Sequence, residues 1–481
     1  MEKLFIQIKK LVPHKLFKAL QPAYHYILAF FASALYRWPS EKLIVIGVTG
    51  TTGKTTSVYL IAKTLEAAGY KTGFTSTAMF NDGEKEWLND KKMTMVGRFF
   101  TQSMLNRMHK NGCRYAIVET TSEGIRQSRH KFINFDILVM TGLYPEHIES
   151  HGSFENYKDA KGMLFEHLKK CKPKFVNDNK EVQKGLTGLK KTESNRIKKT
   201  IIANLDDEYA EFFLDFWAER KIGYTNINEY ETNNTNDDVE VISYGEVAVS
   251  QEGTSFSARG GSASGGKIPD SIHQGGKIQL KLLGAFNATN AMNAYAVAES
   301  QGFEFEKIKQ GLESIAGVAG RLERIDEGQD FTVLVDYAFE PNALRKLYET
   351  VSVVPHNKII HVLGSTGGGR DISRRPILGR IAGENADFII VTNEDPYDDD
   401  PSIIIDQVAI GAEHVGKKLD ESILKILDRR EAIEKALNMA EAGDIVLITG
   451  KGSEQAIVVA NGEKITWDDR AVVRGILENK K

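Results

Sequence analysis

The stretch Gly47-Val-Thr-Gly50-Thr-Thr-Gly53-Lys54-Thr55-Thr56 limits this chain more than any other part of its sequence. It overlaps the end of a β-branched run, Lys42-Leu-Ile-Val-Ile-Gly-Val48, and leads into Thr55 to Ala68, a segment with helical apolar spacing that closes at Gly69. A buried-type strand that turns through glycines into a helix N-terminus is the opening of an α/β unit with a parallel sheet. The glycines let backbone N–H groups wrap a polyphosphate, Lys54 can reach its terminal phosphates, and the Thr55 hydroxyl can ligate magnesium. The usual phosphate-loop spacing would put its first glycine at Val48, whereas the closing Gly53-Lys54-Thr55-Thr56 is intact. We therefore expect Gly50, Thr51, Thr52, Gly53, Lys54, Thr55 and Thr56 to hold a nucleoside triphosphate.

Strand and helix signals alternate beyond this loop. Tyr115 to Val118 and Phe135 to Met140 read as further buried strands, and Glu119 ends the first of them. Ligands bind at the carboxyl edge of such sheets, so Glu119, the stretch from Thr141 to Gly152 and the helix carrying Lys161 should converge on the loop. Asn226 to Lys277 differs, and there we expect β-hairpins, with Gly260 to Gly276 a mobile Gly/Ser-rich loop. The βα alternation restarts after Gly317-Val-Ala-Gly-Arg321, with strands at Thr332–Asp336, Lys358–Leu363, Phe388–Thr392 and Asp444–Thr449. At about 100–200 residues per domain, 481 residues leave room for this division. The expected fold class is α/β: a P-loop central ATPase domain (residues 41–319) with a mostly parallel sheet, then a Rossmann-like C-terminal α/β domain (residues 320–481).

Lys and Arg total 62 against 65 Asp and Glu, a formal charge of −3, so no broad positive field is available to hold a nucleic acid. The two cysteines, Cys113 and Cys171, form no disulfide framework or zinc motif, which fits a reducing cytoplasm. Residues 1–40 form an N-terminal helical segment in which lysines 3, 9, 10, 15 and 18 precede the apolar run Tyr26 to Tyr36. That run is too short to span a bilayer. We expect a helix docked by its apolar face on the next domain; peripheral membrane contact through residues 1–40 is the other use of such a segment.

Several motifs then occur in one order: the Thr-Gly-Thr-x-Gly-Lys-Thr-Thr loop; Glu119 with Ser122, Gln127 and Arg129; His147 to Gly152; Lys161; Gly284-Ala-Phe-Asn287-Ala-Thr-Asn290; Gly317 to Arg321; Asp336-Tyr-Ala338; Gly367-Gly-Gly-Arg370-Asp371; Asp395-Pro396; and Gly450-Lys-Gly-Ser-Glu454. In this the chain resembles the Mur ligase family over about residues 43–475, most closely its MurE type, the tripeptide synthetases. The resemblance implies an ATP-dependent, ADP-forming amide ligation in which a substrate carboxylate becomes an acyl phosphate that an amino acid's amine displaces. It implies two magnesium ions held by Thr55, Glu119, His147 and Lys161, with Lys161 carbamylated by CO2 into an anionic ligand. It places Asn287, Asn290, Arg321 and Asp336 on the nucleotide, Thr94, Ser122, Gln127 and Arg129 on the acceptor, and Arg370, Asp395 and Glu454 on the incoming amino acid. Lys54, Glu119, His147 and Lys161 are the implied catalytic set.

The departures matter too. The forty or so residues ahead of the match are too few for the family's N-terminal UDP-binding domain, so a UDP-linked substrate is not expected to be held in the family's way. The family's Thr-Thr-Pro reads Thr94-Met95-Val96, its Asp-Tyr-Ala-His ends in Phe339, and Tyr397 replaces the arginine that marks diaminopimelate users. The expected partners are small-molecule substrates: a muramoyl-peptide-like acceptor and an amino acid, lysine or another in place of diaminopimelate. Two other functions stay open: an amidating ligase subunit that works with a glutaminase, and a nucleotide-binding scaffold that has lost ligation.

Overall fold

In the computed structural model the described residues are 14–146, 151–176, 182–184, 196–227, 238–260, 273–369 and 372–480. His147, Arg370, Asp371 and residues 261–272 of the expected loop lie outside them. Helix α1 (His14–Leu35) leads to β1 (Ile44–Thr49), then α2 (Lys54–Ala67), β2 (Thr72–Thr75), β3 (Met79–Asn81), β4 (Glu86–Leu88), α3 (Arg98–Lys110), β5 (Tyr115–Glu119), α4 (Ser122–Arg126), β6 (Ile137–Met140) and α5 (Phe154–Leu168). A small sheet of β7 (Lys174–Val176), β8 (Val182–Lys184) and β9 (Arg196–Ile197) follows. The chain then returns through β10 (Thr200–Asn204), α6 (Ala210–Leu214), β11 (Arg220–Asn226), β12 (Val239–Ser250), β13 (Gly253–Gly260), β14 (His273–Leu280), α7 (Phe286–Ser300) and α8 (Phe305–Ser314).

Eleven strands make one sheet in the order β14-β13-β12-β11-β10-β6-β1-β5-β2-β3-β4. From β12 to β2 every pairing is parallel, and antiparallel strands finish both sides. β1 lies between β5 and β6 and is buried along its whole length, which is why it reads as an unbroken apolar run. Apolar side chains split by parity along β1 and the residue before it: Ile44, Ile46 and Val48 join the core under α2, α7 and α8, and Leu43 and Val45 the core under α3 and α5. The hairpins expected after Asn226 are present among the described residues as β12–β13 and β13–β14. One expectation is corrected: Gly260 closes β13 and His273–Gly276 open β14, so the ends of the supposed loop are paired strand, held by the ladder with β13.

The second sheet contains β15 (Glu323–Ile325), β16 (Thr332–Asp336), β17 (Ile359–Leu363), β18 (Phe388–Val391), β19 (Ile423–Lys425) and β20 (Ile445–Thr449), in the order β15-β16-β20-β17-β18-β19. Only β15 pairs antiparallel. Helices α9 (Pro341–Val351), α10 (Arg374–Asn385), α11 (Pro401–Glu413), α12 (Arg429–Met439) and, after the hairpin β21 (Ala456–Val458) and β22 (Lys464–Thr466), α13 (Asp469–Glu478) cover its two faces. Below, the two sheets with their helices are the first and second lobes.

α1 corrects another expectation. It does dock on the first lobe, but through Ala29, Ala32 and Ser33, and the larger apolar residues Leu20, Ile27, Phe31 and Leu35 face outward. Among the described residues no helix is long and apolar enough to cross a membrane.

Candidate active site

The loop after β1 is shaped by its glycines. Gly50 has φ +151° and Gly53 φ +76°, and a Cβ on Gly50 would lie 1.9 Å from Thr141 Oγ1. The Thr141 hydroxyl instead donates to the Thr52 carbonyl at 2.6 Å, tying the loop to the end of β6. Lys54 folds back to donate to the Thr51 carbonyl (2.6 Å), and Lys161, reaching in from α5, donates to the Gly50 carbonyl (2.7 Å). The Lys161 side chain is 1 % exposed and its ammonium lies 4.6 Å from the centre of the Tyr157 ring, whose hydroxyl is 3.2 Å from Thr51 Oγ1. Burial, and then the Lys54 charge, push the Lys161 pKa well below that of an ordinary lysine, with Glu146 opposing. Burial also lowers Lys54; Glu119 and Glu146 resist, and Arg321 adds to the fall.

Glu119, at the end of β5, is buried and accepts from the Thr55 hydroxyl (3.0 and 3.2 Å), the Thr77 hydroxyl (2.8 Å) and the Thr77 backbone N–H (2.8 Å). All three donors are neutral groups, so these hydrogen bonds bring none of the chain's own cations onto the carboxylate. Among the described residues no three His, Cys, Asp or Glu side chains form a metal cage. Magnesium needs no such cage, since it typically takes one or two carboxylates plus substrate phosphate and water. The second lobe joins at Arg321, which donates to Thr55 Oγ1 at 3.3 Å and stacks on the Tyr337 ring at 4.4 Å.

Both lobes line a cavity of about 660 Å³. Thr51 to Thr56, Glu119, Asn287, Asn290, Arg321 and Asp336 lie on its wall, so the residues implied for the nucleotide come together there, except Gly50, which lies just behind. Asn290 donates to Asn287 Oδ1 (3.0 Å), and Asn287 to the Leu283 carbonyl (2.7 Å). The two oxygens of Asp336 accept from the N–H groups of Leu322 and Ala338, both at 2.7 Å, so this carboxylate also shapes the turn between the lobes. Burial raises its pKa against the pull of Arg321.

Of the residues implied for the acceptor, Thr94, Ser122 and Arg129 line the cavity and Gln127 does not. Gln127 bridges Glu123 (2.6 Å) and Arg129 (2.7 Å), so it acts on the wall through its neighbours. Asp395 and Glu454 also stand outside the wall. Lys451 donates to Asp395 (2.9 and 3.0 Å) and Glu454 (2.6 Å), while Lys92 crosses from the first lobe to meet Asp395 at 2.7 Å and Glu454 at 3.1 Å. Against the upward push of burial, Lys451 and Lys92 hold the Asp395 carboxyl below its usual range. The Tyr337 hydroxyl donates to Glu454 at 3.3 Å and separates this cluster from the cavity. For His147 and Arg370, which lie outside the described residues, no placement is given.

Sequence reasoning passed over Thr77, Lys92 and Glu340, and took in Tyr144 only as part of the Thr141–Gly152 stretch. Tyr144 donates to Glu340 across the lobes at 3.4 Å, and Glu340 caps α9 through the N–H groups of Asn342 and Ala343. The Glu340-Pro341 pair at a helix start was a legible cap signal; Thr77 and Lys92 carry none.

Residues 48–200 match the Mur ligase middle domain, and residues 320–452 the Mur ligase, glutamate ligase domain. The chain is 36% identical to a UDP-N-acetylmuramyl-tripeptide synthetase of Roseiflexus sp. (strain RS-1), over 94% of this chain and 81% of the relative. It is 31% identical to a UDP-N-acetylmuramoyl-L-alanyl-D-glutamate--2,6-diaminopimelate ligase of Syntrophomonas wolfei, over 94% and 82%. A solved structure of a ligase of the latter name superposes with a TM-score of 0.58 at 25% identity, over 96% of this chain and 83% of that one. With the loop, the buried carboxylate and the cavity shared by two lobes, these matches show that the chain belongs to the Mur ligase family, whose members are ATP- and magnesium-dependent, ADP-forming ligases.

Proposed function

We propose that this protein joins an amino acid to a carboxylate of a muramoyl-peptide-like acceptor through an acyl phosphate, with ATP cleaved to ADP and phosphate. What carries the reading is the gathering of Lys54, Thr55, Glu119, Lys161 and Arg321 around one loop, beside a cavity that both lobes wall. Residues 41–319 serve as the ATP-binding unit and residues 320–481 as the unit that closes over it.

Two anions, a carboxylate and a triphosphate, must meet, so fixed positive charge has to offset their repulsion. Lys54 and Arg321 supply it from the chain, one from each lobe. Magnesium, when bound, cancels phosphate charge and orients the reacting oxygens. In this reading two ions are held, by Thr55, Glu119, His147 and Lys161, and the neutral hydrogen-bond donors around Glu119 fit such a role. Lys161 has to be carbamylated first, and only an uncharged amine adds to CO2. Burial next to Lys54 favours that form. Addition of Nζ to the carbon of CO2 with loss of a proton turns a cation that would repel the metal into an anionic oxygen ligand.

Asn287, Asn290 and Asp336, with Arg321, contact the nucleotide's adenine and ribose. Thr94, Ser122, Gln127 and Arg129 shape the acceptor's side of the cavity; Arg370 faces the incoming amino acid, and Asp395 and Glu454, held outside the wall by Lys92 and Lys451, face it only once that cluster opens. The test is phosphate release with ATP, magnesium and bicarbonate across a panel of muramoyl-dipeptide acceptors and amino acids, with product mass read in parallel. Release that needs both acceptor and amino acid supports the ligase. ATP binding with no release across the panel would leave a nucleotide-binding scaffold. A product formed with ammonium alone would instead favour an amidating subunit fed by a glutaminase.

A further inference from the structure

Helix α1 carries two apolar faces and uses only one. Ala29 and Ala32 are buried, and the Ser33 hydroxyl donates to the Phe132 carbonyl at 3.3 Å. Tyr26 and Phe30 set their rings edge-on to Phe132, with centroids 5.0 and 5.6 Å apart. Leu20, Ile27, Phe31 and Leu35 take no part in this seam and are 54%, 51%, 58% and 66% exposed. At about 100° per residue, positions 20, 27, 31 and 35 fall within one arc of roughly 80°, opposite the buried alanines. Between Lys18 and Arg37 there is no Asp, Glu, Lys or Arg, so nothing charged interrupts the stripe. A soluble surface seldom leaves such a stripe bare without a use for it.

The flanks suggest the occupant. Residues 1–40 contain lysines 3, 9, 10, 15 and 18 and Arg37 against a single acid, Glu2, in a chain whose formal charge is −3. The exposed rings of Tyr26 and Trp38 add amphipathic groups of the kind found at a lipid–water boundary. A second copy of the chain would bring two strongly basic segments together, which like-charge repulsion opposes. An anionic bilayer satisfies both features at once: headgroup phosphates for the lysines and an acyl boundary for the stripe. We propose that α1 docks this ligase on an anionic membrane surface, with Leu20, Ile27, Phe31 and Leu35 entering the acyl boundary and the net positive charge of the N-terminal sequence favouring anionic headgroups. α1 packs on α3 and lies within electrostatic reach of Arg129 and Glu123, both on the cavity wall, so docking brings that side of the cavity to the lipid surface.

Flotation of the full chain with vesicles of phosphatidylcholine, with and without about one-quarter phosphatidylglycerol, tests this. The expected result is about tenfold stronger partition onto the phosphatidylglycerol vesicles, much reduced in high salt. Ile27→Asp with Phe31→Asp should lower that partition about tenfold while ATP affinity and the near-UV circular dichroism stay as in the parent. Replacing lysines 9, 10, 15 and 18 by glutamine should remove the preference for the anionic lipid. No flotation with phosphatidylglycerol vesicles, or undiminished flotation of the aspartate variant, would overturn the proposal. So would dimers in sedimentation velocity that the aspartate variant abolishes, because the stripe would then be covered by a second copy.

Discussion

At Lys161 an amine is taken out of water and donates to the Gly50 carbonyl. The cost of burying an ammonium is reduced by releasing its proton, and the released form is the one that reacts with CO2. Lys161→Ala is therefore expected to lower acceptor-dependent phosphate release by about a thousandfold or more and to change ATP affinity only slightly. Single-turnover release and nucleotide titration measure the two effects separately, and wild-type turnover would remove the carbamate role. Gly50 has a different constraint. With φ +151° and Thr141 Oγ1 only 1.9 Å from an added Cβ, Gly50→Ala is expected to cost about 2–4 kcal/mol and to weaken ATP binding as the loop shifts. Denaturant midpoints and nucleotide titration of the same variant test both. The glycine, lysine and threonine identities of this loop were readable in the sequence because the chemistry depends on residue type. The carbonyls that receive Lys54 and Lys161 were not, since a backbone acceptor leaves no mark on composition.

Strands of five or six buried residues with a loop at each carboxyl end were legible, and β16 runs over Thr332–Asp336 as the apolar pattern predicts. Three-residue strands such as β15, β19 and β21 are too short to show a period, and exist because a neighbouring strand supplies the ladder. Within β17, His361 is fully buried between the Tyr348 hydroxyl on α9 (2.7 Å) and Thr449 Oγ1 at the end of β20 (2.9 Å). Burial, helped by the Arg429 charge, lowers its pKa from 6.5 to about 3. The folded state thus holds this imidazole neutral where the unfolded chain would protonate it. Its contribution to stability is complete above pH 6.5 and is lost progressively as pH falls towards 3. A drop of about 2 kcal/mol between pH 7 and pH 5 is expected from this group. Buried His167, lowered to about 4, adds to the same decline. Urea midpoints at the two pH values measure it, and His361→Gln, less stable throughout, should show a shallower fall.

Between the lobes, Lys92 is a latch that no local pattern announces. Its side chain is nearly buried, 303 positions away in sequence from the Asp395 it binds, and that carboxylate is also held by Lys451. Lys92→Met should leave each lobe folded, weaken their contact by about 3 kcal/mol and give a larger radius of gyration in small-angle scattering without ATP. An unchanged scattering profile would show that Arg321 and the Tyr144–Glu340 bond suffice to hold the lobes. The same distance limits what a linear reading can see. Local residue order was enough to establish the α/β class, the phosphate loop, Glu119 at a strand end and the ordered motifs of a ligase family, because each depends on neighbours a few residues apart. Long-range packing alone decided that Asp395 and Glu454 are neutralised by lysines from two lobes, that Gln127 stands behind the wall, and that α1 docks through alanines with its larger side chains outward. Those outcomes depend on which surfaces lose water against each other, and that is settled only when segments hundreds of residues apart have met.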